Sequence, residues 1–104
     1  MANNSIKIKA SITNKLCTVK ALIEHVMETG LREDKKGNPI PAHFIKEVTC
    51  KHNGDLVFIA NWSIAVAKNP YLSFNIKNAN PGDSIELSWL DNINDSDTIT
   101  TTVS

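Results

Sequence analysis

The sequence predicts an all-β chain: an immunoglobulin-like antiparallel β-sandwich of about seven strands, one domain over residues 1–104. Three observations predict it. Short segments recur in which apolar and polar residues alternate with a period of two, the mark of a strand buried on one face. Turn words built from Gly, Pro, Asn and Asp separate these segments. No long segment carries the apolar period of a helix.

Each element can be read in turn. Ile6, Ile8, Ala10 and Ile12 alternate with Lys7, Lys9 and Ser11. Cys17, Val19, Ala21 and Ile23 repeat the pattern, with Thr18, Lys20 and Glu24 on the other face. Phe44 to His52 forms the third strand, in which Val48 and Cys50 share a face. Asn53-Gly54 follows at once, and both residues tolerate the positive φ of a tight hairpin. Leu56 to Trp62 returns. Leu72, Phe74 and Ile76 alternate with Ser73, Asn75 and Lys77. Pro81-Gly82-Asp83 turns the chain into Ile85, Leu87 and Trp89, and the Asp- and Asn-rich run Asp91–Asp97 turns it again into Ile99, Thr101 and Val103. Only Ser63–Lys68 hints at a helical turn. The expected core is Ile8, Val19, Ile23, Leu72, Phe74, Ile76, Ile85, Leu87 and Trp89.

Composition narrows the function. A chain of 104 residues is long enough for one core without staples. Formal net charge is zero, so no strong overall field steers it to nucleic acid or an anionic membrane. No apolar run approaches the roughly 20 residues of a membrane span. The start, MANNSIKIKA, lacks the apolar stretch of a signal peptide, which read alone points to a cytoplasmic protein or one exported by another route. Two cysteines permit one disulfide and no framework.

His25 to Pro41, HVMETGLREDKKGNPIP, is too long for a hairpin turn, and long loops tend to be functional. It carries five charges in a row, Arg32–Lys36, the last of which opens a turn word, Lys36-Gly37-Asn38-Pro39. A second unusual word is Asn69-Pro70-Tyr71-Leu72-Ser73-Phe74. Both read as surfaces presented to another molecule. The partner-binding candidates are Met27, Arg32, Asp34, Asn69 and Tyr71, with Met27 anchoring the loop and the charges exposed.

Evidence for chemistry is thin. His25, His43 and His52 are candidate metal ligands together with Cys50 and Met27, and Cys50-Lys51-His52 places Cys and His on one strand face. The closing loop of a blue-copper site, with Cys, His and Met in quick succession, is absent. Glu28, Glu33 and Asp34 stand among Arg32, Lys35 and Lys36 without apolar cover, so nothing would shift them toward acid–base work. Cys17 lies on an apolar strand face as a small hydrophobe. Cys50, near Lys46, Lys51 and a strand end, is less enclosed. A Cys17–Cys50 bridge requires Cα atoms within about 7 Å, which sequence alone does not place. No nucleotide, phosphate or hydrolase motif is present, and no catalytic residue, cofactor or metal is assigned.

The loop His25-Val26-Met27-Glu28-Thr29-Gly30-Leu31-Arg32-Glu33-Asp34, then Gly37-Asn38 and Ile40-Pro41, strongly resembles the signature loop of the SoxZ family, approximately HPMETGxRxDxxGxxIP. Asn53-Gly54, Val57-Phe58, Ala60, the Asn69–Phe74 word and Trp89 with Asp91 match in order and spacing. The chain departs at Val26, where the family has proline, and from Asn92, where NINDSD replaces an Asp-Gly turn. The resemblance implies a sandwich that pairs with SoxY, a chain carrying sulfur intermediates on a cysteine in a Gly-Gly-Cys-Gly-Gly tail. It implies a non-enzymatic scaffold half of a thiosulfate-oxidation carrier, exported to the periplasm with a signal-bearing partner. In that setting Cys50 is a candidate for an intersubunit disulfide, because an oxidising compartment preserves one. The alternative readings are a periplasmic metal-binding or redox sandwich using His and Cys ligands, and a generic structural sandwich.

Overall fold

The computed structural model describes residues 5–104. Its strands are β1 (Ile6–Thr13), β2 (Leu16–Ile23), β3 (Ile45–His52), β4 (Asp55–Asn61), β5 (Tyr71–Lys77), β6 (Ser84–Asp91) and β7 (Ser96–Thr102). They form two antiparallel sheets, a three-stranded one in the order β1-β2-β5 and a four-stranded one in the order β4-β3-β6-β7. The all-β sandwich and its seven strands therefore follow the alternation read in the sequence. β6 shows why: every second residue, Ile85, Leu87 and Trp89, is buried between the sheets.

Val19, Ile23, Ile45, Val48, Ile85 and Leu87 lie at the centre, wholly shielded from solvent. Two expected core residues are only half-buried. Ile8 sits on β1, an edge strand, and so lacks cover on one flank. Phe74 stacks on Phe58 across the open side of the sandwich, rings parallel and 4.2 Å apart. The two flanks differ. Near β1 the chain end closes the sandwich: the Ile12 amide donates to the Ser104 carbonyl, and the Ser104 amide donates to Ala10, both at 3.1 Å. On the opposite flank β4 and β5 are both free edges, and β4 exposes Leu56, Val57 and Ile59.

Three readings need correction. Ser63–Lys68 forms no helix; its fold is one tight turn, with the Val66 amide on the Ser63 carbonyl. The third strand begins at Ile45 rather than Phe44, and the return strand runs Asp55–Asn61 rather than Leu56–Trp62. The long loop also has structure of its own. Glu28 and His43 exchange two backbone hydrogen bonds, Ile40 donates to Arg32, and Asp34 donates to Asn38, so residues 28–43 form an irregular two-armed ribbon. Gly30 is required where the arms approach: its φ is +83°, and a Cβ there would meet the Ala42 Cβ at 3.1 Å.

Candidate functional site

The ribbon is fixed at its root by one carboxylate. His25 closes β2 and enters the ribbon, His43 leaves it, and Asp91 ends β6. His25 Nε2 lies 3.1 Å and His43 Nε2 2.7 Å from the same Asp91 oxygen, Oδ2. The other oxygen, Oδ1, accepts the Ile93 and Asp95 amides and so shapes the β6–β7 turn. Asp91 has no solvent exposure, and His25 is buried. Burial pushes the Asp91 carboxyl up, but the bonds from His25, the Asp95 amide, His43 and the Ile93 amide outweigh it and hold the pKa below the ordinary aspartate value. The His25 ring meets His43 edge-on at 4.6 Å and Trp89 edge-on at 5.1 Å. The Trp89 indole N–H is satisfied in turn by the Ser5 hydroxyl at 3.0 Å.

His25, His43 and Asp91 each offer a ligand atom, and these lie within 4.8 Å of one another. The donor chemistry does not fit a metal. The Met27 amide donates to His25 Nδ1 at 3.0 Å, which makes Nδ1 the acceptor. Neutral imidazole then carries its hydrogen on Nε2 and donates it to Asp91. Ligation through Nε2 would demand a hydrogen on Nδ1, directed at the Met27 N–H. The 2.7 Å contact is also shorter than the roughly 3.3 Å between ligands of a tetrahedral zinc with bonds near 2.05 Å. The remaining candidate ligands lie elsewhere. His52 bonds Asp83 at 2.7 Å, half-buried at the other end of β3. Cys50 points into the core.

The partner-binding candidates divide by environment. Met27 is buried, with φ at +48°, and its sulfur accepts the Ile45 amide at 3.3 Å. It anchors the ribbon and offers only a sliver of surface, at the floor of the hollow that reaches Arg32. Arg32 is exposed and holds Glu28 with two bonds, Nη2–Oε1 at 3.0 Å and Nε–Oε2 at 3.1 Å. Asp34 is exposed, but its Oδ1 caps the ribbon tip by accepting the Lys36 and Asn38 amides. Those amides hold its pKa below the usual aspartate value. Asn69 is tied to the ribbon root: its Oδ1 accepts the His25 amide at 3.1 Å, and its own amide donates to the His25 carbonyl at 3.0 Å. The two unusual words of the sequence are thus neighbours in space. Between them lies a shallow hollow of about 370 Å³ lined by Val26, Lys68 and Asn69 among others, continuous through Val26 and Lys68 with one of about 260 Å³ that reaches Arg32. Tyr71 stands outside this hollow on the outer face of the three-stranded sheet, 61% exposed.

The cysteines need a correction as well. Cys50 is fully enclosed although it nears a strand end. Its strand is flanked by β4 and β6, its side chain faces inward, and its exposure is 0%. Burial, then the neighbouring Cys17 thiol and Glu86, raises its pKa to about 11. Cys17, also at 0%, is raised by burial and by Asp83. Both thiols are free. A disulfide from Cys50 to another chain would require β3 to leave the sheet.

Sequence reasoning missed the central role of Asp91. Its only signal was the Trp-x-Asp word at the end of a strand, read as a family match and not as a partner for two histidines lying 48 and 66 residues away.

No curated protein matches the chain. Comparison with protein families matches residues 6–102 to "Sulphur oxidation protein SoxZ". The match spans nearly the whole sequence and carries the ribbon, its Asp91 root and both sheets. The chain belongs to the SoxZ family, whose role is in sulfur oxidation.

Proposed function

We propose that this chain is the non-catalytic subunit of a two-chain sulfur carrier in thiosulfate oxidation. Its partner is a SoxY-like chain that bears the sulfur intermediates on a cysteine of a flexible, glycine-rich tail. The observation that carries this reading is the state of the two thiols. Carrier chemistry needs an accessible thiolate on a mobile arm, and Cys17 and Cys50 are enclosed in the core with their pKa values raised. What the chain offers instead is surface: a ribbon fixed at its root, a hollow beside it, and an apolar free edge. Exposed apolar edge strands are normally blunted or covered, and Leu56, Val57 and Ile59 on β4 support a permanent partner as the cover. The periplasm is the compartment proposed for the pair, reached with the partner's export signal.

Size-exclusion chromatography of the co-expressed chains tests the reading. A single heterodimer peak at micromolar concentration is expected. Two separate monomer peaks would overturn it. The metal or redox alternative draws no support from the donor set, because His25 presents a hydrogen where a ligand needs a lone pair.

A further inference from the structure

The zero net charge of the chain conceals a polarity between its two sheets. The strands of the three-stranded sheet carry Lys7, Lys9, Lys20 and Lys77, and Glu24, exposed one residue beyond β2, is a carboxylate at the end of the same face. The four-stranded sheet carries two lysines, Lys46 and Lys51, against five carboxylates, Glu47, Asp55, Glu86, Asp91 and Asp97. All four lysines of the smaller sheet are exposed, and alternation turns them to its outer face. The register groups three of them: Lys7, Leu22 and Tyr71 form one cross-strand row, Lys9, Lys20 and Ser73 form the next, and Lys77 stands apart opposite Leu16. Between these rows lies a shallow hollow of about 250 Å³ that includes Tyr71 and Leu22.

The Lys9–Lys20 pair is informative. Like charges directly opposite across two strands destabilise a sheet. No carboxylate stands in the Lys9–Lys20–Ser73 row to relieve them, while an acidic surface from outside would. We propose that the outer face of the three-stranded sheet docks the acidic surface of an enzyme that acts on the carrier complex. The inference rests on the subunit role proposed above. Charge complementarity selects an acidic occupant, and the exposed Tyr71 and Leu22 supply the apolar centre that a protein interface uses. Charge complementarity raises the rate of encounter more than the affinity, so this face suits a transient, electrostatically steered encounter and leaves the apolar β4 edge to the permanent partner.

The test uses the assembled two-chain complex and the host's purified carrier-loading enzyme. K9E/K20E reverses the field while keeping the like-charge pair, and K46E/K51E makes the same change of net charge on the other sheet. K9E/K20E is expected to lower kcat/KM by about tenfold or more at low ionic strength, to leave kcat unchanged, and to flatten the salt dependence. K46E/K51E should change kcat/KM less than about twofold on the same reasoning. Equal responses of the two variants would overturn the inference. So would binding of the wild-type complex to phosphatidylglycerol vesicles or duplex DNA at physiological salt that K9E/K20E abolishes, since the face would then have a different occupant. Heterodimer formation is followed separately by size exclusion. Loss of docking with pairing intact condemns neither reading, equal docking with pairing intact condemns this inference alone, and failure of the wild-type chain to pair condemns the subunit role and this inference with it.

Discussion

The root and the tip of the ribbon are built from the same kinds of residue and do opposite things. At the root, a carboxylate and the His25 imidazole are drawn out of water, His43 is half-buried beside them, and both carboxylate oxygens of Asp91 are satisfied by named donors. At the tip, residues 30–39 are all exposed, and their charges meet only neighbours within the ribbon. The same carboxylate chemistry therefore serves stability in one place and local shape in the other. Burial, not residue type, decides which. An unmade hydrogen bond at the root costs the full desolvation of a buried group, whereas water replaces a lost bond at the tip.

That contrast sets an order of effects. Trp89→Ala should be the most damaging change, roughly 3–5 kcal/mol, because it empties a core position. It also removes the edge against which His25 rests and the indole bond to Ser5. Chemical denaturation measures it, and a loss under about 1 kcal/mol would place Trp89 outside the core. Asp91→Asn follows, on the order of 3 kcal/mol, since an amide cannot accept from both imidazoles and two backbone amides at once. Hydrogen exchange should then show the Glu28 and His43 amides opening faster while β1 and β2 stay protected.

Acid sharpens the same contrast. Asp91 has its pKa lowered in the folded chain, as have Asp83, through the His52 bond first, and Asp97, where the Ser5 bonds outweigh burial. A lowered folded pKa gives stability that is fully present above the unfolded value, about 3.9 for aspartate. That stability is lost as pH falls through the folded pKa, because the unfolded chain takes the proton first. Wild-type stability should therefore decline below about pH 4, and Asp91→Asn should decline less steeply there.

The tip should respond weakly. Asp34→Ala should lower the melting temperature measurably but less than Asp91→Asn, by freeing the Lys36 and Asn38 amides to water. Arg32→Ala should cost under about 0.5 kcal/mol, as expected for an exposed pair. If the ribbon tip is a contact surface, Arg32→Ala should nonetheless slow turnover of the assembled pathway. A large stability loss with unchanged turnover would make the tip a structural element instead.

The strands were legible because alternation is a local property: Ile85, Leu87 and Trp89 announce their buried face without reference to any other strand. Four things were not legible, and each depends on which strands meet. The ribbon is held by the isolated Glu28–His43 bridge, which leaves no period in the sequence. The Asp91 root joins three distant segments. Cys50 looked accessible because proximity to a strand end says nothing of whether that strand is central, and β3 is. The lysine face was divided among β1, β2 and β5, and only the sheet order brings it together. Met27 was legible as an anchor in kind, since a long apolar side chain amid charges has to go inward, and it does.

The central claim is that this chain supports sulfur chemistry without carrying it. Intact-mass spectrometry of the co-expressed pair, after turnover with thiosulfate and without reductant, tests this most directly. Sulfur increments are expected on the partner's mass alone, with this chain at its unmodified mass and no covalent heterodimer. A sulfur increment on this chain, abolished by Cys17→Ser or Cys50→Ser, would contradict the account.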